Sequence, residues 1–272
     1  MFALTGDVHD MSLGTEDQAL LPLGQTETRI SRKFLELADR HTIVATLYVT
    51  GAVAVRETED LLWLLKHHEF ELGGHTYSCY RPRLVYGASR RLLGLSNGPK
   101  GIQRIDMRRT IGVLEEVSGC AIKTWRNHAY RCDRNTIPLA AENGILAISN
   151  EVGTGRRPSR IITRYGPVAS LPINTPPDHE NLHPDGRNSD ATFPDVSSWV
   201  RAVIEHVESN EEREIPSVIL AHPACMEVVD EMKALESLLQ YLKRFRSVTM
   251  TELAKEVLCE IVSPRKARFG AK

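Results

Sequence analysis

Three short apolar runs in this chain end on side chains that could do chemistry. Glu71-Leu72-Gly73-Gly74-His75-Thr76-Tyr77-Ser78-Cys79 passes from a strand-like stretch through two glycines to a histidine and a cysteine four residues apart, a spacing suited to half of a metal site. Ala3-Leu4-Thr5-Gly6-Asp7-Val8-His9-Asp10 adds a carboxylate, an imidazole and a second carboxylate directly after a hydrophobic run. Ser217-Val218-Ile219-Leu220-Ala221-His222-Pro223 ends on a further histidine. Taken singly, a strand-end histidine is more often a hydrogen-bonded structural residue than a ligand. Their order along the chain gives these three more weight.

The elements that must position these residues alternate between strand and helix patterns, as in a sheet built from βα units. Strands are expected at Phe2–Thr5, Ile43–Thr50, Phe70–Gly73, Ala121–Trp125, Ile145–Ile148, Val168–Ile173, Ser217–Ala221 and Ser247–Thr249. Helical spacing of apolar residues marks Thr28–Arg40, Glu57–His67, Ile102–Val117, Arg134–Asn143, Val196–Glu208, Val229–Arg244 and Met250–Val257. Two long segments, Thr76–Pro99 and Pro172–Pro194, read as irregular walls of a cleft. The pattern predicts one α/β catalytic domain over residues 1–260, followed by a short basic tail at 261–272.

Composition narrows the function. A net charge of −1 argues against a nucleic-acid binder, which would carry a strong basic excess. The middle of the chain is locally basic, from Lys100 through Arg134 and again over Arg156–Arg164, and reads best as a solvated helix face with loop charges. No apolar run approaches the ~20 residues of a membrane span. Five scattered cysteines do not form a disulfide framework, and Met1 leads directly into the first strand, so a cytoplasmic location is expected.

The order of motifs resembles the polysaccharide deacetylase family, the NodB-homology domain of carbohydrate esterase family 4. The likeness rests on Asp7 in the first strand and on Glu71, Gly73 and His75 as a Glu-x-Gly-x-His motif. It continues through Trp125-Arg126-Asn127-His128-Ala129-Tyr130 and Leu220-Ala221-His222, and covers roughly residues 1 to 256. It implies a distorted, incomplete (β/α) barrel and a divalent metal, expected to be zinc. It also implies a hydrolase that removes an N-acyl group, expected to be acetyl, from an amino sugar of a glycan or its intracellular precursor. Two alternatives remain: hydrolysis of a non-sugar amide or cyclic imide, and a catalytically inactive carbohydrate-binding protein of the same fold.

Residue roles follow from the same resemblance. Asp7 is expected as the catalytic base, Arg126 as the residue that orients it, and His222 as the acid that protonates the leaving amine. The ligand set departs from the family pattern, because Cys79 stands where a second histidine is usual. Either His9 or Asp10, with His9 preferred, fits the first-motif ligand place beside His75. Thiolate is a good zinc ligand, yet Cys79 could equally just pack. Tyr77, His128, Tyr130, Asp178, His179 and His183 are the expected substrate-binding residues. Glu151 stands near the family's fifth-strand aspartate and could support the catalytic histidine.

Overall fold

A computed structural model describes residues 1–9, 24–179, 181–182, 193 and 195–260. Asp10, His183 and the 261–272 tail lie outside the described residues. Among those described, the strands are β1 (Phe2–Val8), β2 (Ala45–Val49), β3 (Phe70–Gly74), β4 (Thr124–Trp125), β5 (Ala147–Ile148), β6 (Ser159–Thr163), β7 (Gly166–Ser170) and β8 (Ser217–Leu220). They form one open, strongly curled sheet in the order β6-β7-β5-β4-β3-β2-β1-β8. Every pairing is parallel except β6 with β7. This is the expected distorted, incomplete barrel.

The helices are α1 (Glu27–Arg40), α2 (Gly51–Arg56), α3 (Thr58–His67), α4 (Arg83–Leu93), α5 (Lys100–Ser118), α6 (Thr136–Glu142), α7 (Val196–Glu212), α8 (Pro223–Asp230), α9 (Lys233–Leu242) and α10 (Met250–Glu260). Their starts follow local chemistry. Thr26 caps α1 by accepting from the Arg29 N–H, and Asp195 caps α7 through Ser198.

Strand periodicity sorts the side chains into two layers. Phe2, Leu4 and Val8 of β1 join the large core beneath the helices, whereas Ala3 joins a second core inside the curl with Tyr48, Val218, Leu220, Met250 and Leu253. Asp7 shares the parity of Ala3, so the strand aims it inward. Two glycines of β3 allow close packing there. A Cβ on Gly73 would meet the Tyr48 ring at 2.6 Å, and one on Gly74 would press into the Trp125 ring. Glu71, on the inward face of the same strand, accepts from Thr46 Oγ1 at 2.8 Å and from the Thr251 N–H at 3.2 Å. That carboxylate ties the start of α10 to the sheet.

Three expectations need correction. The irregular segment Thr76–Pro99 contains the eleven-residue helix α4. The single helix expected over Val229–Arg244 is two, because Glu231 and Met232 turn into the left-handed region between α8 and α9. Ser247–Thr249 is no strand but contributes one bridge, Phe2 to Ser247. The antiparallel β6 was missed as well; its two-sided exposure leaves little periodic signal. The basic middle does not form one patch: Arg104 and Arg108 pair with Glu142, Arg109 stacks on Tyr77, and Arg126 is fully buried.

Candidate active site

Asp7 sits at the centre of the candidate site. Its Oδ1 accepts from Arg126 Nη1 at 2.8 Å, and its Oδ2 lies 3.8 Å from both His75 Nε2 and His222 Nε2. Arg126 is 0 % exposed, and its Nη2 donates to Thr5 Oγ1 and Ser149 Oγ and its Nε to the Ser149 carbonyl while its plane covers the Tyr48 ring. So saturated a guanidinium has one orientation. Burial alone would raise the Asp7 carboxyl, but Arg126, His75, His222 and His9 outweigh it and hold Asp7 well below the usual carboxylate range. It is an anion at neutral pH.

Around this anion stand histidines from three strand ends and one turn. His9 follows β1 and His75 follows β3, and their rings lie 5.5 Å apart and nearly parallel. His128 opens a short 3₁₀ turn, His128–Tyr130, in which Ala129 and Tyr130 adopt positive φ. Thr76, Cys79 and Tyr80 are in the same unusual region. Strain of this kind tends to collect at functional sites.

One ring nitrogen from each of His9, His75 and His128 lies within 4.8 Å of the other two, so the three could hold a metal ion. Two properties of the trio fit that group. His75 is fully buried, yet neither ring nitrogen has a hydrogen-bond partner among the described residues, which an ion would supply. Burial also pulls His75 down to about 4 against the attraction of Asp7, and burial followed by His75 pulls His128 down to about 3. His9 is lowered well below its ordinary value by burial and then by His128. All three are therefore neutral near pH 7, the form a metal requires. The His9 N–H donates to Glu27 Oε2 at 2.5 Å, which fixes the end of β1.

His222 closes the other side. It precedes α8, with Pro223 in the first turn, and its ring lies 5.8 Å from that of His9. Asp178, 0 % exposed, takes both its backbone N–H at 2.7 Å and its Nδ1 at 2.8 Å. A carboxylate at Nδ1 sets the tautomer, so Nε2 is the nitrogen that faces Asp7. Sequence reasoning placed Asp178 in a substrate-binding loop and looked to Glu151 for this support. Glu151 instead pairs with Arg156 and accepts from Ser170 Oγ.

The remaining candidates divide. The His179 ring is 5.4 Å from His222 and Tyr80 stands beside His128 at 6.3 Å, so both border the cluster. Tyr130 packs against the inner core. Tyr77 is wedged against Gly51 and beneath Arg109, and its N–H donates to Asp106. Cys79 is buried and does not belong to the trio of possible ligands, whereas His128, expected to contact substrate, does. Tyr80, which donates no motif of its own, was missed; only its place beside Cys79 marks it.

The architecture and the strand-end cluster together define a curled (β/α) half-barrel with a histidine-rich centre at the carboxyl ends of its strands. No family model matches the chain, and no curated protein matches it. Solved structures do, over nearly its whole length. A Mycobacterium smegmatis protein provisionally named a polysaccharide deacetylase aligns with a TM-score of 0.74 at 20 % identity, covering 100 % of this chain and 94 % of the other. Puue allantoinase aligns with a TM-score of 0.69 at 15 % identity, covering 97 % and 91 %. A family 4 acetyl xylan esterase from Clostridium thermocellum, in complex with a cobalt ion, aligns with a TM-score of 0.56 at 18 % identity, covering 93 % and 90 %. The chain has the NodB-homology fold of the polysaccharide deacetylases and family 4 carbohydrate esterases.

Proposed function

We propose that the chain is a metal-dependent hydrolase that removes an N-acyl group, acetyl in the first instance, from an amino sugar of a glycan or glycan precursor. The observation that carries this reading is the convergence of Asp7, Arg126, His222 and the His9–His75–His128 trio on one centre. His9, His75 and His128 would hold the ion, with zinc the best match to three neutral imidazoles. Bound there, a divalent ion lowers the pKa of water toward ~7 and polarises the carbonyl under attack.

The chain's own groups supply the proton transfers. Asp7, kept ionised and held in one orientation by Arg126, accepts the proton of the attacking water. His222 Nε2 donates a proton to the departing amine, and Asp178 at Nδ1 stabilises the imidazolium beforehand. Positioned acid or base groups typically contribute ~10²–10⁴ in rate. Burial of Arg126 beneath the inner layer keeps water from loosening its grip on Asp7.

A panel of N-acetylated amino-sugar oligomers, with acetate release as the readout, tests the proposal. Release by the zinc-loaded protein, abolished in Asp7→Asn and in His222→Ala, is expected. Activity confined to small amides or imides would replace the sugar reading with the second one, which the allantoinase of the same fold makes specific. A protein that binds oligosaccharide but never turns it over would overturn both.

A further inference from the structure

Helix α4 has an outward face that a water-facing helix has no reason to carry. Of the ten large hydrophobic side chains most exposed among the described residues, four lie on its eleven positions: Leu84 is 87 % exposed, Leu92 78 %, Leu93 57 % and Val85 41 %. Leu84, Val85, Ala88 and Leu92 follow the i, i+1, i+4, i+8 spacing that makes one helical stripe. Tyr86 and Ser89 form the opposite, buried side, and Tyr86 packs on Tyr80 at 5.2 Å. Because Tyr80 borders His128, α4 stands one side chain away from the wall of the histidine cluster.

Along the segment that carries the stripe, the charge has one sign. Between Glu71 and Asp106 the chain contains no acidic residue but holds Arg81, Arg83, Arg90, Arg91, Lys100 and Arg104. Arg104 is committed to Glu142, whereas Arg81, Arg90, Arg91 and Lys100 are exposed and make no ion pair with a described carboxylate. We infer that α4 is an interfacial anchor that lies on an anionic lipid bilayer, its leucines at the acyl boundary and its arginines among the headgroups.

Each rival occupant leaves part of the pattern unexplained. A second copy meeting this face across a two-fold axis would set the arginines of one α4 against those of the other, with no acid on either helix to offset them. A polyanionic glycan would use the cations and leave the leucines in water. A cationic amphipathic helix on an anionic surface satisfies both. No described helix is long and apolar enough to cross a membrane, so the helix lies on the surface rather than through it. The docking itself does not depend on the hydrolase reading. Joined to that reading, it makes the substrate class an acylated amino sugar carried on a lipid at the bilayer surface.

Co-sedimentation of the full chain with vesicles tests the anchor without reference to activity. Binding to mixed phosphatidylcholine–phosphatidylglycerol vesicles, but not to pure phosphatidylcholine, is expected. Leu84→Ser/Leu92→Ser changes only exposed side chains and should weaken partitioning about tenfold or more. Arg90→Glu/Arg91→Glu should cost roughly fivefold per cation removed, and added salt should imitate it. Failure of the parent protein to bind, or binding that both variants retain, overturns the inference. Sedimentation velocity supplies the remaining outcome: a dimer dissolved by Leu84→Ser/Leu92→Ser, with no vesicle binding, would assign the face to a second copy and overturn it too.

Discussion

Replacing Asp178 with Asn gives the sharpest test of the acid assignment, because it changes one charge and almost no volume. The buried His222 N–H must keep an acceptor, since leaving it bare costs about 1–3 kcal/mol. The new side-chain oxygen will take that bond, leaving an NH₂ facing Nδ1, where a carboxylate oxygen now sits at 2.8 Å. An NH₂ there makes Nδ1 an acceptor, and the imidazolium loses both its partner and its counter-charge. At an effective dielectric constant of about 20–40, a full charge about 4 Å from the imidazolium's centre of charge is worth about 2–4 kcal/mol to it. The corresponding loss in kcat/KM on an N-acetyl amino sugar is about 30-fold to 1000-fold. An aryl acetate supplies the control, since phenolate leaves without a proton and its hydrolysis should fall only a few-fold. Equal losses on amide and aryl ester would refute the assignment of His222 as acid, and so would a variant with unchanged amide turnover.

Metal analysis of single variants distinguishes the ligand sets. His75→Ala and His128→Ala should each lose bound zinc, whereas Cys79→Ala should retain it; the reverse result would restore Cys79 to the site. Asp106 offers a test that reads stability rather than activity. Burial pushes its carboxyl from 3.8 up to about 6 against the opposing pull of the Tyr77 N–H and Arg109. A folded pKa raised above the unfolded one means a contribution present below pH ~4 and lost as pH rises through ~6. Allowing for its partial exposure, that contribution is about 1–2 kcal/mol. The depressed His75, His128 and His9 act in the opposite sense over the same window, so the measured quantity is the urea-unfolding stability of the parent minus that of Asp106→Asn, which should fall as pH rises through ~6; a difference that does not change with pH would exclude Asp106 as a source. Gly74→Ala should destabilise by about 1–3 kcal/mol, because the new methyl meets a buried Trp125 ring whose indole N–H is held by Asn127 Oδ1. An unchanged melting temperature would show that the ring yields.

The sequence carried the fold well where strand parity and helical spacing reflect burial. Phe2, Leu4 and Val8 alternate with inward groups, and that same alternation aimed Asp7 at the centre. Helix α4 was hidden although its apolar residues have helical spacing, because it follows Pro82, carries Gly87 at its middle and stops at Gly94, residues that together read as loop. Asp178 was legible as a polar loop residue but not as the partner of His222, since an irregular segment gives no register from which to place it. His128 shows the same limit. Its proximity to His9 and His75 depends on a turn with positive φ at Ala129 and Tyr130, which residue type alone does not announce.

The position of β1 has a consequence for how the chain is made. It lies between β2 and β8, with Phe2 opposite Ser217 and Thr5 opposite Leu220, so its second neighbour is synthesised more than two hundred residues later. The three histidines that could hold a metal are all synthesised once His128 has left the ribosome, yet His222, the proposed acid, arrives almost a hundred residues afterwards. Until then a nascent chain exposes an unpaired parallel edge beside a nearly assembled histidine cluster, a state open to mispairing and in need of protection.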